Sequence, residues 1–387
     1  MRTVLSVFLL LVTSQMASAQ VDCFAYADEG QTIVSGVSTK GVATVNAEKE
    51  LTIPRQVVKV LYNAFASLRS NQNLNDMTID GGNPEFEKHD GQNALSDVRQ
   101  SLTAITINGS GMTTANIGTM LDGLGADNHI ETIDIYNDAF PLDAIINTSA
   151  SLVSAKVVLP ASRVGNQQIG GAKIYGRFTM KEGSELATFC GNALFYDEND
   201  GSNFLFYIPT EVVEQQEEKR IHIQRVRYIL PHQGILMHHT ENSSLTVSLP
   251  RVDEEPADVQ YEADETRFAG NMLVGVTEPT AIDKTSEKSG DTYVNMILKS
   301  GFFYPTLGGT LGANRAYLQV KQSDLQNARI GIAFGEEDEA TNIHPHTSEG
   351  THQTSTFNHQ PSQWYTFSGQ RLADRPRQPG FYKKVKK

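Results

Sequence analysis

Leu74-Asn75-Asp76-Met77-Thr78-Ile79 is followed by Leu102-Thr103-Ala104-Ile105-Thr106-Ile107, by Ile130-Glu131-Thr132-Ile133-Asp134-Ile135 and by Leu152-Val153-Ser154-Ala155-Lys156-Val157. Each hexad is apolar at its first, fourth and sixth positions, and the starts are 28, 28 and 22 residues apart. A spacing in the twenties is what a stack of short repeats produces. Met77-Thr78-Ile79 and Ile133-Asp134-Ile135 read as short strands whose inward face one unit cannot bury alone, so stacking joins them into a parallel ladder with a continuous core. Gly81-Gly82-Asn83-Pro84, Asn108-Gly109-Ser110-Gly111 and Asp122-Gly123-Leu124-Gly125 read as the tight turns between strands. Gln92 to Gln100 reads as a linker-like insertion that breaks the regularity.

From about Phe189 the pattern changes to period-2 runs, among them Asn203-Phe204-Leu205-Phe206-Tyr207-Ile208 and Arg220-Ile221-His222-Ile223-Gln224-Arg225-Val226. Leu245-Thr246-Val247-Ser248-Leu249, Tyr293-Val294-Asn295-Met296-Ile297-Leu298 and Ala316-Tyr317-Leu318-Gln319-Val320 extend the series. Short strands at this density predict an antiparallel β-sandwich or barrel. The expected fold is therefore mixed α/β and all-β, a degenerate repeat solenoid over 20–185 followed by a β-rich domain over 186–336.

The ends read differently. Arg2, an apolar run from Val4 to Val12, and Met16-Ala17-Ser18-Ala19 before Gln20 have the layout of a secretory signal peptide over 1–19, cut after Ala19. Asp22 directly before Cys23 does not suit lipoprotein processing, which favours a released or surface-held protein over a lipid-anchored one. From Glu336 the chain turns acidic and then rich in His, Thr, Ser and Gln, a flexible linker over 337–363. A tail over 364–387 opens with Trp364-Tyr365-Thr366-Phe367-Ser368-Gly369-Gln370-Arg371-Leu372 and closes with Gly380-Phe381-Tyr382 and a lysine-rich end in place of a final strand.

Composition narrows the function classes. The chain has 387 residues, 39% of them hydrophobic, enough to build cores in two or three domains. A net charge of −13 argues against nucleic acid, whose phosphates require a basic face. After the signal, no apolar stretch approaches the roughly 18 residues that span a bilayer. Cys23 and Cys190 are too few for a disulfide framework, and either a pair or two thiols is compatible with the sequence.

Catalytic motifs do not stand out. A Gly-x-Ser-x-Gly elbow, a reactive cysteine context and a His-Glu-x-x-His helix are missing from the sequence. His344, His346, His352 and His359 lie in a tract without the fixed geometry a metal needs, and His238-His239 would point to opposite faces of a strand. The reading is thus of a non-enzyme with no cofactor and no metal. Tyr136, Phe140, Tyr175 and Phe178 are the candidate binding residues, as rings able to stack on sugars, against the alternative that they fill the repeat core or cap its end.

Thr52-Ile53-Pro54, then Val57, Val60 and Asn63-Ala64-Phe65, match in order the T-I-P-x-x-V-x-x-I-x-x-x-A-F unit of the BspA-like leucine-rich repeat surface proteins of bacteria, which residues 45 to 190 resemble. Partial copies follow in Ile133-Asp134-Ile135-Tyr136-Asn137-Asp138-Ala139-Phe140 and in Val158-Leu159-Pro160. The second half resembles a module that follows such repeats in secreted proteins of Gram-negative anaerobes, through Ile229-Leu230-Pro231-His232-Gln233-Gly234, Gly301-Phe302-Phe303-Tyr304-Pro305 and Gly312-Ala313-Asn314-Arg315-Ala316. The tail is similar to short C-terminal sorting segments of the same bacteria. The resemblance implies a secreted or outer-surface protein that binds a host or neighbouring-cell protein or a glycan. The alternatives are a structural envelope component and a carbohydrate-active enzyme or its accessory module.

Overall fold

The hexads fold as strands, because alternation along each gives one apolar and one polar face. The computed structural model describes residues 21–198, 204–215, 218–239, 245–325 and 329–334, and the backbone of three C-terminal strands. The expected signal peptide and the linker histidines His344, His346, His352 and His359 lie outside the described residues.

Six parallel strands form the ladder: β1 (Glu50–Ile53), β2 (Asp76–Asp80), β3 (Ala104–Asn108), β4 (Thr132–Tyr136), β5 (Lys156–Pro160) and β6 (Lys173–Thr179). Glu50, Asp76, Ala104, Thr132, Lys156 and Lys173 stand in one row of the register, with steps of 26, 28, 28, 24 and 17 residues. Leu51, Met77, Ile105, Ile133 and Val157 form the inward row beside it, all fully buried. The fourth hexad is out of line with this register, since Ile133 pairs with Val157 and not with Ala155. A shift of two residues keeps the in-and-out alternation, and it places the bulkier Val157 and Leu159 in the core.

Behind the ladder a second layer closes the core. Ile33–Val37, Lys59–Val60 and Glu85–Phe86 stack in parallel, with Phe24–Tyr26 antiparallel at the end. Val57, Val60, Ala64 and Phe65 from the Thr52-Ile53-Pro54 unit all point into the space between the layers. Two helices occur where the sequence analysis placed no element: α1 (Thr39–Glu48) and α2 (Thr114–Asp122). Thr113 caps α2 by accepting from the Asn116 N–H, and Ile117, Met120 and Leu121 bury one stripe.

The segment from Gln92 to Gln100 is not a linker. Asn93, itself buried, caps the 3-10 turn Ala94–Asp97 through a bond from the Leu95 N–H, and its Nδ2 donates to the carbonyls of Thr119 (2.6 Å) and Met120 (3.0 Å) at the end of α2. One amide side chain thereby satisfies backbone groups in two consecutive connections of the ladder. Leu95 and Val98 bury beside it.

The second half adds β7 (Leu186–Phe189), β8 (Phe204–Gln215), β9 (Glu218–Arg225), β10 (Ile235–His239), β11 (Thr246–Pro250), β12 (Leu273–Val276), β13 (Thr285–Lys288), β14 (Asp291–Lys299), β15 (Phe302–Pro305), β16 (Arg315–Lys321) and β17 (Gly331–Phe334). One sheet has the order β7-β10-β8-β9-β17 and another the order β12-β16-β14-β13, with β15 on β14. Pairing is antiparallel except between β9 and β17. The molecule is thus mostly β, with 42% strand against 14% helix, so sheet packing rather than helix packing carries its cores. Among the described residues no helix is long and apolar enough to cross a membrane.

The period-2 reading fails at β8: Phe204 to Ile208 is an unbroken apolar run because this part of the strand is buried on both faces. Phe204, Phe206 and Ile208 join the cluster that fills the ladder, while Leu205 and Tyr207 join a second cluster with Leu273, Met296, Phe303, Leu318 and Val320 from the facing sheet. Phe178 of β6 meets Phe189, Phe195 and Phe206 edge-on, with centroids 5.0, 5.1 and 5.2 Å away. Gly176 lies two residues earlier because a Cβ there would collide with the Phe195 ring. Strand β11 crosses back to pair antiparallel with β6 and ends the ladder. The apolar core therefore runs without a break across the junction expected at 185–186.

Helix α3 (Val259–Phe268) supports the second half from outside its sheets. Asp264, wholly buried, accepts from the Arg227 and Tyr228 N–H groups at 2.9 Å each and is paired with Arg267 at 2.8 Å. Cys23 and Cys190 are two separate buried thiols and not a disulfide pair: the first lies 3.6 Å from the Thr44 hydroxyl, the second packs against Gly275. Burial pushes the Cys190 thiol up to about 11.

The chain divides into two units, Met1–Ile343 and His344–Lys387. In the second, Gln363–Thr366 pairs antiparallel with Arg371–Leu372 and with Tyr382–Val385. The final strand that the lysines were expected to replace is present and includes Lys383 and Lys384, residues that suit a sheet edge.

Phe178→Ala should cost about 3–5 kcal/mol of unfolding free energy, as the loss of a fully buried ring does. Thr78→Ala, on the outer face, should change it by less than about 0.5 kcal/mol. Urea unfolding of the two variants measures the contrast; comparable losses would mean that the ring cluster is not what holds the two halves.

Candidate functional site

The outer face of the ladder is set by the same register as its core. Thr52, Thr78, Thr106 and Asp134 occupy one outward row, continued by Val158 and Tyr175. Asp80, Asn108 and Tyr136 occupy the next. No described helix is packed over these rows, and Thr78, Thr106, Asp134, Asp80 and Asn108 are half-buried as residues of an open polar sheet are.

The face changes character at its far end. Arg177, outward on β6, reaches across β5 to pair with Asp134, and its guanidinium carbon lies 3.7 Å from the centroid of the Tyr136 ring. The arginine side chain is only 8% exposed, so the charge is held between a carboxylate and an aromatic face. Tyr136 remains 47% exposed.

A cleft of about 870 Å³ opens beside this trio. Pro160, Phe178, Phe189 and Met237 contribute its apolar lining. Asp138, Ser162, Thr179, Thr188, Thr246, Asn314 and Arg315 supply polar groups, so ladder and β-rich half build the site together. Asn314 is anchored by a 3.0 Å bond from its Nδ2 to the Cys190 carbonyl, and the Thr188 hydroxyl accepts from the Ala316 N–H at 3.3 Å. A second depression, of about 610 Å³, is lined by Lys219, Lys288, Lys321, Glu211 and Glu214 among others, with opposite charges interleaved.

Of the four rings expected to bind, only Tyr136 presents itself to solvent. Phe140 and Phe178 are core residues: the alternation of β6 turns Phe178 inward, and Phe140, past the end of β4, is wholly buried in the same cluster. Tyr175 lies on the outer face but is covered, with the Lys156 ammonium 5.1 Å from its centroid. Burial and the nearby Glu198 carboxylate raise its hydroxyl above the ordinary tyrosine value. Sequence reasoning missed Arg177, Asp138 and Arg315. Alternation within Lys173–Thr179 places Arg177 on the outer face, but nothing local connects Arg315 to residues near 136.

No three His, Cys, Asp or Glu side chains among the described residues converge on a point that would hold a metal. His238 and His239 do face opposite ways: His238 lies among Tyr207 and Phe334, and His239 against Phe204. His238 Nδ1 and His239 Nε2 have no hydrogen-bond partner among the described residues. Burial, with His239 next in effect, pushes His238 down to about 4.

Comparison with known proteins finds no match to this chain among family models, curated proteins or solved structures.

Two predictions arise. Asp134→Ala removes the partner of a largely buried guanidinium and should destabilise the fold by about 1–3 kcal/mol, with Asp134→Asn losing less because its amide oxygen still accepts. Thermal unfolding reads both, and equal stability of all three proteins would show the pair to be ornamental. The second concerns pH. An unfolded His238 takes up its proton near 6.5 but the folded one only near 4, so the neutral form's contribution is complete above 6.5 and is lost as pH falls towards 4. It amounts to about 3 kcal/mol. Urea midpoints measured across that window should fall less steeply in His238→Leu than in the parent; parallel slopes would assign the acid sensitivity to other groups.

Proposed function

We propose that the protein is an exported cell-surface recognition or adhesion protein. In this reading residues 50–179 form a leucine-rich-repeat solenoid of the BspA-like kind, the following half is a β-sandwich that caps it, and the solenoid's outer face contacts a protein or glycan on a host or neighbouring cell. The observation that carries the reading is the outer face itself: register-aligned polar rows on a rigid parallel sheet, uncovered by any described helix and ending at a cleft with one exposed aromatic. Extended sheet faces of stacked repeats serve as binding surfaces because each repeat adds contact area without adding flexibility. The glycosidase alternative draws less support, because Asp138 is the one carboxylate among the residues lining the cleft and hydrolysis requires a facing pair.

The test uses purified mature protein on an array of glycans and extracellular-matrix proteins. Saturable binding to at least one class is expected, weakened about tenfold or more by Tyr136→Ala or by the double change Thr78→Arg, Thr106→Arg, in keeping with the weight that a few central residues carry in recognition. Absence of binding, or binding indifferent to both variants, would defeat the proposal.

A further inference from the structure

The recognition reading leaves the ligand open, and the charges of the cleft narrow it. Two arginines stand near Tyr136. Arg177 is already neutralised by Asp134 and lies along one face of the ring. Arg315 lines the cleft from the β-rich half, is exposed, and has no ion-pair partner among the described residues. From the ladder side Asp138 lines the same space, also without an ion pair among the described residues. The cleft thus offers one guanidinium and one carboxylate without an ion pair among the described residues, with Pro160 and the buried Phe178, Phe189 and Met237 also in its lining.

We infer that the cleft binds a pyranose that carries a carboxylate, presented at the end of a glycan. This inference rests on the recognition reading above. A pyranose has an apolar C–H face and a rim of hydroxyls, matching an exposed aromatic and an apolar lining surrounded by hydroxyl and amide groups. Asp138 accepts from sugar O–H groups, the hydroxyls of Ser162 and Thr188 and the amide of Asn314 complete the polar rim, and Arg315 donates to the carboxylate in the two-bond geometry that its planar fork provides. The cleft volume of about 870 Å³ suits one or two sugar rings. A long polyanion is a poor fit: it needs a track of basic groups, and Arg177 and Arg315 are the cations in the cleft lining, the first of them already paired with Asp134. A single terminal acid needs only the one guanidinium of Arg315.

Ligand-observed NMR titration of the mature protein with methyl β-glucuronide and methyl β-glucoside isolates the carboxylate, because the two sugars differ only there. The glucuronide should bind about tenfold or more tightly than the glucoside. Arg315→Gln should abolish that preference by weakening the glucuronide to the level of the glucoside, and Tyr136→Ala should weaken both. A methyl sialoside arm distinguishes the two common sources of a carboxylate on a sugar ring, and a preference for it that Arg315→Gln abolishes equally supports the inference. Thermal unfolding of each variant confirms that it is folded. Equal affinities for acidic and neutral sugars, a preference that survives Arg315→Gln, or no sugar binding at all would overturn the inference. If the array still shows saturable, Tyr136-dependent binding in those cases, the surface-recognition reading stands and only the ligand class falls; if both experiments are negative, both fall.

Discussion

The ring of Phe178, met edge-on by Phe189, Phe195 and Phe206, is the contact on which the arrangement of this protein depends. An open parallel ladder leaves its last strand with both an unpaired edge and an apolar face. Here the face is covered by aromatic rings and the edge is paired by β11, both supplied by the chain that follows. Each edge-on ring pair adds about 0.5–1.5 kcal/mol beyond the area it buries. The larger contribution is that β8, apolar on both sides, is shared by two cores and cannot shift without opening each.

From that junction the site follows as a geometric result. The strands of the ladder advance in register, so side chains two residues apart repeat as rows across the sheet. The polar rows made by Thr78, Thr106 and Asp134 are the unavoidable complement of the inward Met77, Ile105 and Ile133. Arg177 interrupts them because it is long enough to span β5, and its pairing with Asp134 stiffens the end of the face against the Tyr136 ring. Asn314 and Arg315, at the start of β16, then meet this end because β16 packs against β10 and β7 through the second core and the Thr188 contact. Two segments far apart in the chain therefore form one cleft.

What was legible in the sequence is what short-range periodicity encodes. The first three hexads are in register, each with its first, fourth and sixth residues buried, and the Val158-Leu159-Pro160 match to Thr52-Ile53-Pro54 falls on equivalent register positions. The fourth hexad was aligned two residues out of place because Ala155 and Val157 are both apolar and both buried, so composition alone does not choose between them. The 92–100 segment read as a linker because its stabilising bonds run from Asn93 to carbonyls some twenty-six residues later, a connection that no local pattern displays. For the same reason the candidate rings were sorted poorly. Tyr136 closes β4 and Phe140 lies four residues further on, past the point where alternation ends, so the sequence does not tell which faces solvent.

The antiparallel strand β11 also has a meaning for how such a chain changes over time. Because it runs against the direction of its six predecessors, it occupies the position where another copy of the repeating unit would dock. Growth by addition at that end is closed. A gain or loss of a unit has to occur within the array, upstream of β6, where insertion of a whole repeat preserves both the alternation and the seating of Phe178. Length variation among descendants of this protein is therefore expected to appear as internal duplication, with the terminal cap and the cleft beside it inherited as a single block.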